Sequence, residues 1–216
     1  MEYPSCTEIN PEGEAEYTVI WLHGLGANGN DFVSIVPGLR LPEEKRVRFV
    51  FPNAPAMPVS VNNGYVMPAW YDIYAMDLVA KIDVEGILRS ADYLQTLVDA
   101  EIETGIEAQN IVLAGFSQGG VIALATALRS SQPLAGVMAL STYLPESVPL
   151  SNAVPRQIFQ AHGRMDEVVR YSVGLETCAR LKQRGHVVQW HEYDMGHTVC
   201  AGEVVDIREW LLERLQ

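Results

Sequence analysis

Three features of the sequence predict an α/β fold with a mainly parallel sheet covered by helices on both faces. Short, nearly continuous apolar runs alternate with longer segments of helical period. No repeat, low-complexity tract or linker-like stretch divides the chain into halves, so residues 1–216 read as one domain. A Gly-Phe-Ser-Gln-Gly turn joins a predicted strand directly to a predicted helix.

The strands are expected over Thr18–His23, Val47–Phe51, Asn110–Phe116, Gly136–Tyr143, Gln157–His162 and Val187–Tyr193. Between them, Val84, Ile87, Leu88, Ala91, Leu94, Val98 and Ile102 recur at helical steps, and Gly105 stands where that helix would end. The run Val121–Leu128 follows the third strand. Leu175, Cys178 and Leu181 form the next apolar stripe, up to Gly185, and Val204, Ile207, Leu211 and Leu215 form the last. Strands separated by helices imply crossover connections and a parallel sheet, with ligands beyond the carboxyl ends of the strands. The segment 52–80, with its Pro, Asn and Gly, reads instead as a long irregular binding loop.

Composition narrows the function. The 216 residues are 48% hydrophobic and 19% charged, with a formal net charge of −12. A negative chain repels phosphate backbones, so a nucleic-acid partner is not expected. Three cysteines without a CxxC pair do not make a disulfide scaffold, and the N-terminal residues carry no basic and apolar signal segment. No apolar run is long enough to span a membrane. Cytoplasm is the expected compartment.

Gly115-Phe116-Ser117-Gln118-Gly119 has the form of a nucleophile elbow, GxSxG between strand and helix. A hydroxyl needs a base to take its proton, and the base needs a third group to orient it. Of five histidines, His23 and His162 sit at strand ends before a glycine, His186 precedes the last strand, and His191 lies within it. His197 follows that strand in a loop and is the expected base. Asp166, in the loop after the fifth strand, is the expected acid. Asp194 sits at a strand end, where a turn role is ordinary, and Asp72 breaks the order serine, acid, histidine. The backbone N–H groups of Leu25 and Gln118 are the expected oxyanion donors.

Trp21-Leu22-His23-Gly24-Leu25-Gly26, Met67-Pro68-Ala69-Trp70-Tyr71-Asp72, Gly115 to Gly120, Leu140-Ser141-Thr142-Tyr143-Leu144-Pro145 and Met195-Gly196-His197 occur in this order. Together they resemble the acyl-protein thioesterase and carboxylesterase family of α/β-hydrolases, most of all its small bacterial carboxylesterases. The resemblance runs from about Val19 to the C-terminus. It implies an α/β-hydrolase fold without a separate lid domain and the triad Ser117, Asp166 and His197. It also implies an oxyanion hole from Leu25 and Gln118, and cleavage of carboxylic esters or thioesters through an acyl-enzyme. The substrate would be a small ester or thioester, a lysophospholipid or an acylated protein. Neither metal nor organic cofactor is expected.

Met67, Trp70, Tyr71, Tyr143 and Leu144 are candidate acyl-pocket residues. The alternative is that the aromatic residues pin a Pro-rich loop to the body. An exposed apolar rim at such a pocket would favour a homodimer.

Three rival readings carry less. Gly24-Leu25-Gly26-Ala27-Asn28-Gly29 is a literal GxGxxG, but a poor helix start follows it and the next strand ends without a ribose-binding acid. His191, Asp194 and His197 have no known zinc spacing. A non-catalytic binding protein on the same scaffold would be expected to have lost a triad member, and all three stand here.

Overall fold

The computed structural model describes residues 2–75, 81–150 and 154–216. Its strands are β1 (Thr7–Ile9), β2 (Tyr17–Leu22), β3 (Val47–Phe51), β4 (Ala56–Val59), β5 (Tyr65–Pro68), β6 (Ile111–Phe116), β7 (Gly136–Leu140), β8 (Gln157–Gly163) and β9 (Val187–Tyr193). The helices are α1 (Val36–Leu39), α2 (Val84–Glu103), α3 (Gln118–Arg129), α4 (Tyr171–Gln183) and α5 (Ala201–Arg214). Seven strands form one sheet in the order β1-β3-β2-β6-β7-β8-β9, with β1 antiparallel and the rest parallel. β4 and β5 form a separate antiparallel hairpin.

The period of two along each strand sorts side chains to opposite faces of the sheet. Ile20, Leu22, Leu113, Val137 and Ile158 pack with Leu94 and Val98 of α2, Val121 and Leu124 of α3, and Cys178 and Leu181 of α4. Val19, Trp21, Val112, Met138 and Phe159 face the other way, against Leu39 of α1 and Ile207, Trp210 and Leu211 of α5. Both faces are covered, so the central strands are apolar at almost every position.

Helix ends follow local chemistry. Asp83 caps α2 by accepting the Gly86 N–H at 2.9 Å, and beyond the helix Gly105 takes a φ of +106° that side chains disfavour. Arg156 is buried and, among the described residues, has no carboxylate partner. Its guanidinium instead donates to the carbonyls of Ala127, Ser130 and Gln132, closing the C-terminal end of α3.

Three differences from the expected elements have physical causes. β7 ends at Leu140 rather than Tyr143, because Ser141 turns to a φ of +45°. Segment 52–80 contains the β4–β5 hairpin, where Pro58 and Pro68 had argued against strands. The edge strand β1 has three residues, two of them polar, and shows no apolar alternation. Residues 76–80, at the end of the expected binding loop, lie outside the described residues. Among the described residues no helix is long and apolar enough to cross a membrane.

Candidate active site

The register of the parallel strands assembles the site. Leu22 of β2 pairs with Gly115 of β6, so the loop from His23 to Leu25 emerges beside Phe116 and Ser117. These strands lie where the chain order reverses, having first run outward to β3. Gly163 of β8 pairs with Tyr193 of β9, so the loops that carry Asp166 and His197 leave the sheet at one level. Two backbone bonds join those loops, Arg164 N–H to Tyr193 O at 2.9 Å and Met165 N–H to Met195 O at 3.0 Å.

Ser117 adopts φ 53°, ψ −119°, a strained conformation for a residue with a side chain. A Cβ at Gly115 would lie 2.2 Å from the Gly119 carbonyl oxygen. One at Gly119 would lie 2.6 Å from those of Leu22 and His23. The turn therefore needs glycine on both sides of the serine. The Thr142 hydroxyl donates to the Ser117 carbonyl at 2.6 Å, and the Ser117 N–H donates to Leu140 O at 2.9 Å.

The structure brings the three predicted polar groups together. Ser117 Oγ lies 2.9 Å from His197 Nε2, and His197 Nδ1 lies 2.7 Å from Asp166 Oδ2. A carboxylate only accepts, so Nδ1 carries the proton and Nε2 is free to receive one from the serine. Asp166 Oδ1 accepts the N–H groups of Val168 and Val169, both at 2.9 Å. Burial pushes the Asp166 carboxyl upward, but the His197 hydrogen bond and charge, with the two backbone donors, outweigh it and hold it below the usual range. The His197 ring packs at 4.8 Å from Phe116.

The competing groups are engaged elsewhere. Asp194 is exposed and paired with Arg164 at 2.9 Å, and Asp72 accepts the Ser60 N–H and hydroxyl. His23 is buried, with Nε2 accepting the Ala54 N–H and Nδ1 donating to Gly24 O. His186 accepts the Arg156 N–H, and His191 faces Asp206 at 3.3 Å. His191, Asp194 and His197 thus each have a different partner.

Beside Ser117 runs a cleft of about 530 Å³, walled by apolar Leu25, Phe32, Ile35, Phe116, Val168 and Val199, with Asp31 at its exposed edge. Leu25 lines it directly. Gln118 is the first residue of α3, and its N–H has no acceptor within the helix. The Gln118 side chain turns inward: Oε1 accepts the Trp70 N–H at 2.9 Å and Nε2 donates to Tyr71 O at 2.7 Å.

The expected acyl-pocket residues stand elsewhere. Trp70 and Tyr71 are buried, and the Trp70 indole donates to His23 O at 2.9 Å, which pins the loop to the body. Tyr143 and Leu144 line a separate groove of about 370 Å³ along α4, with Thr177 and Arg180. Met67 packs near Gly26 and Asn62, outside the cleft lining. Sequence reading missed the polar supports: His162, whose ring faces Asp166, and the side chains of Gln118 and Thr142. Only position gave a signal, since Gln118 and Thr142 lie inside the quoted motifs and His162 lies four residues before Asp166.

A family model described as Phospholipase/Carboxylesterase matches residues 5–214. The chain is 41% identical to an acyl-protein thioesterase 1 of Neurospora crassa over 92% of its length and 86% of that protein. It is 37% identical to an acyl-protein thioesterase 1 of Yarrowia lipolytica, covering 92% of each. The crystal structure of Zea mays acyl-protein thioesterase 2 superposes with a TM-score of 0.84 at 28% identity, covering 99% of this chain and all of that one.

Proposed function

The chain belongs to the phospholipase/carboxylesterase family of α/β-hydrolases, and on that premise we propose that it cleaves carboxylic esters and thioesters through Ser117, His197 and Asp166. The observation that supports this reading most is the continuous hydrogen-bonded line from Ser117 Oγ through His197 to Asp166 Oδ2. Ser117 attacks the acyl carbonyl while His197 Nε2 takes its proton. The imidazolium, steadied by the Asp166 carboxylate, returns that proton to the leaving alcohol or thiol. Water, activated by the same imidazole, then releases the acid from the acyl-enzyme and restores Ser117. Such proton transfer contributes roughly 10²–10⁴ in rate. The N–H groups of Leu25 and Gln118 receive the oxyanion, each contributing roughly 10²–10³.

S-acylated protein cysteines are the substrate class we favour, because the similar proteins at 41% and 37% identity are named acyl-protein thioesterases. The apolar walls of the cleft suit an acyl chain. The chain acts as one domain in the cytoplasm, a reading supported by three free cysteines. The exposed side chains of Met165 and Val168, on the loop beside the cleft, would support self-association. Light scattering checks that association, a monomer mass counting against it.

Turnover of an S-palmitoylated cysteinyl peptide and a panel of 4-nitrophenyl esters tests the activity. Hydrolysis of both that vanishes in Ser117→Ala is expected. Hydrolysis that survives in Ser117→Ala would assign the chemistry to another group.

A further inference from the structure

His162 lies four residues before Asp166 and takes no part in the reaction described above. Its side chain is fully buried, and Nε2 lies 2.8 Å from Val169 O and 3.4 Å from Asp166 Oδ2. Both neighbours are acceptors, so Nε2 carries a proton. Nδ1 is buried and, among the described residues, has no hydrogen-bond partner. A Cβ at Gly174 would lie 2.4 Å from it, so glycine lets the first turn of α4 close directly over the ring. An imidazolium would leave a second N–H buried and unpaired against a helix N-terminus, which disfavours cations. His162 is therefore a neutral, one-proton donor, held between Trp190 at 6.1 Å and the edge of Tyr171 at 6.2 Å. Burial lowers its pKa, in the same direction.

We propose that His162 is a positioning residue for the acid of this site: its Nε2–H, donated to Val169 O, holds the turn 166–169 in the shape that keeps Asp166 in line with His197 Nδ1. The argument rests on the assignment of Asp166, His197 and Ser117 made above. His162 ties down the Val169 end of the turn 166–169, with the Asp166 carboxylate 3.4 Å from the same nitrogen. The Val168 and Val169 N–H groups of that turn hold Oδ1, so the orientation of the carboxylate toward His197 follows the turn that His162 ties down.

The test compares His162→Leu, His162→Phe and His162→Gln by kcat and KM on 4-nitrophenyl butyrate. It also follows the low-field proton resonance of the Asp166–His197 hydrogen bond. Leu and Phe lack the N–H, and Phe also refills the ring's space should the Leu variant fail to fold. Gln can present its Nε2 near the imidazole Nε2. Loss of the N–H is expected to lower kcat about tenfold, the factor for one hydrogen bond of ordinary net strength, with KM unchanged. The resonance should broaden or shift, and Gln should restore both. Unchanged kcat in folded Leu or Phe protein overturns the inference. So does equal loss in all three variants, which would make the ring a packing element. Asp166→Asn separates the two claims: wild-type kcat there removes the acid assignment itself, whatever His162 does.

Discussion

The Thr142 hydroxyl donates to the carbonyl oxygen of Ser117 at 2.6 Å, linking the end of β7 to the strained turn at the end of β6. Gly120 and Val121 N–H groups share that carbonyl at 3.0 and 3.3 Å, so it keeps partners when the hydroxyl is lost. Thr142→Val preserves the shape and removes one donor. It should cost about 1 kcal/mol of stability, read as a shift in the urea midpoint at constant slope.

Gly119→Ala should be far more damaging. The new Cβ would lie 2.6 Å from two backbone carbonyl oxygens at the end of β2, and backbone cannot move aside as a side chain can. A loss above about 3 kcal/mol is expected, seen as insoluble or thermally fragile protein.

Gln118 separates a backbone role from a side-chain role. Gln118→Leu leaves the N–H at the start of α3 in place but strands the buried Trp70 N–H and Tyr71 carbonyl. Stability should fall by about 2–6 kcal/mol, at one to three per unpaired group. Protein that remains folded should keep most of its kcat. A kcat loss as large as that expected for a missing oxyanion donor, without loss of stability, would contradict this division.

Glu203 gives the pH dependence a sign. It is fully buried near the start of α5, and burial pushes its carboxyl up to about 8, offset in part by the Cys200 backbone N–H. The unfolded carboxyl ionises near its ordinary value, about 4.3. Between these values the folded chain holds a proton that the unfolded chain has released, so stability falls as pH rises. Glu203→Gln removes that dependence. The variant should gain a few kcal/mol over the parent at pH 7, with the gap closing below about pH 4. A gap independent of pH in denaturation series would contradict it.

The central strands were legible because both faces are buried, so their residues are apolar without a gap. Ser117 was legible because a tight turn between strand and helix leaves glycines at fixed offsets. His197 was reached by elimination among five histidines, and the structure sets it beside Ser117 and Asp166. Long-range pairing left less trace. Among the described residues β1 pairs as a strand with β3 alone, and β4 with β5 alone, so neither shows a marked period. Trp70 looks locally like a loop aromatic open to ligand. Its burial depends on His23 and Gln118, which are 47 and 48 residues away.

Fluorophosphonate labelling of the purified protein, with the modified residue located by mass spectrometry, tests the central claim most directly. A single adduct on Ser117, lost in His197→Ala, is the predicted result. Absence of an adduct on well-folded wild-type protein, or labelling of Ser117 that persists at the same rate in His197→Ala, would contradict it.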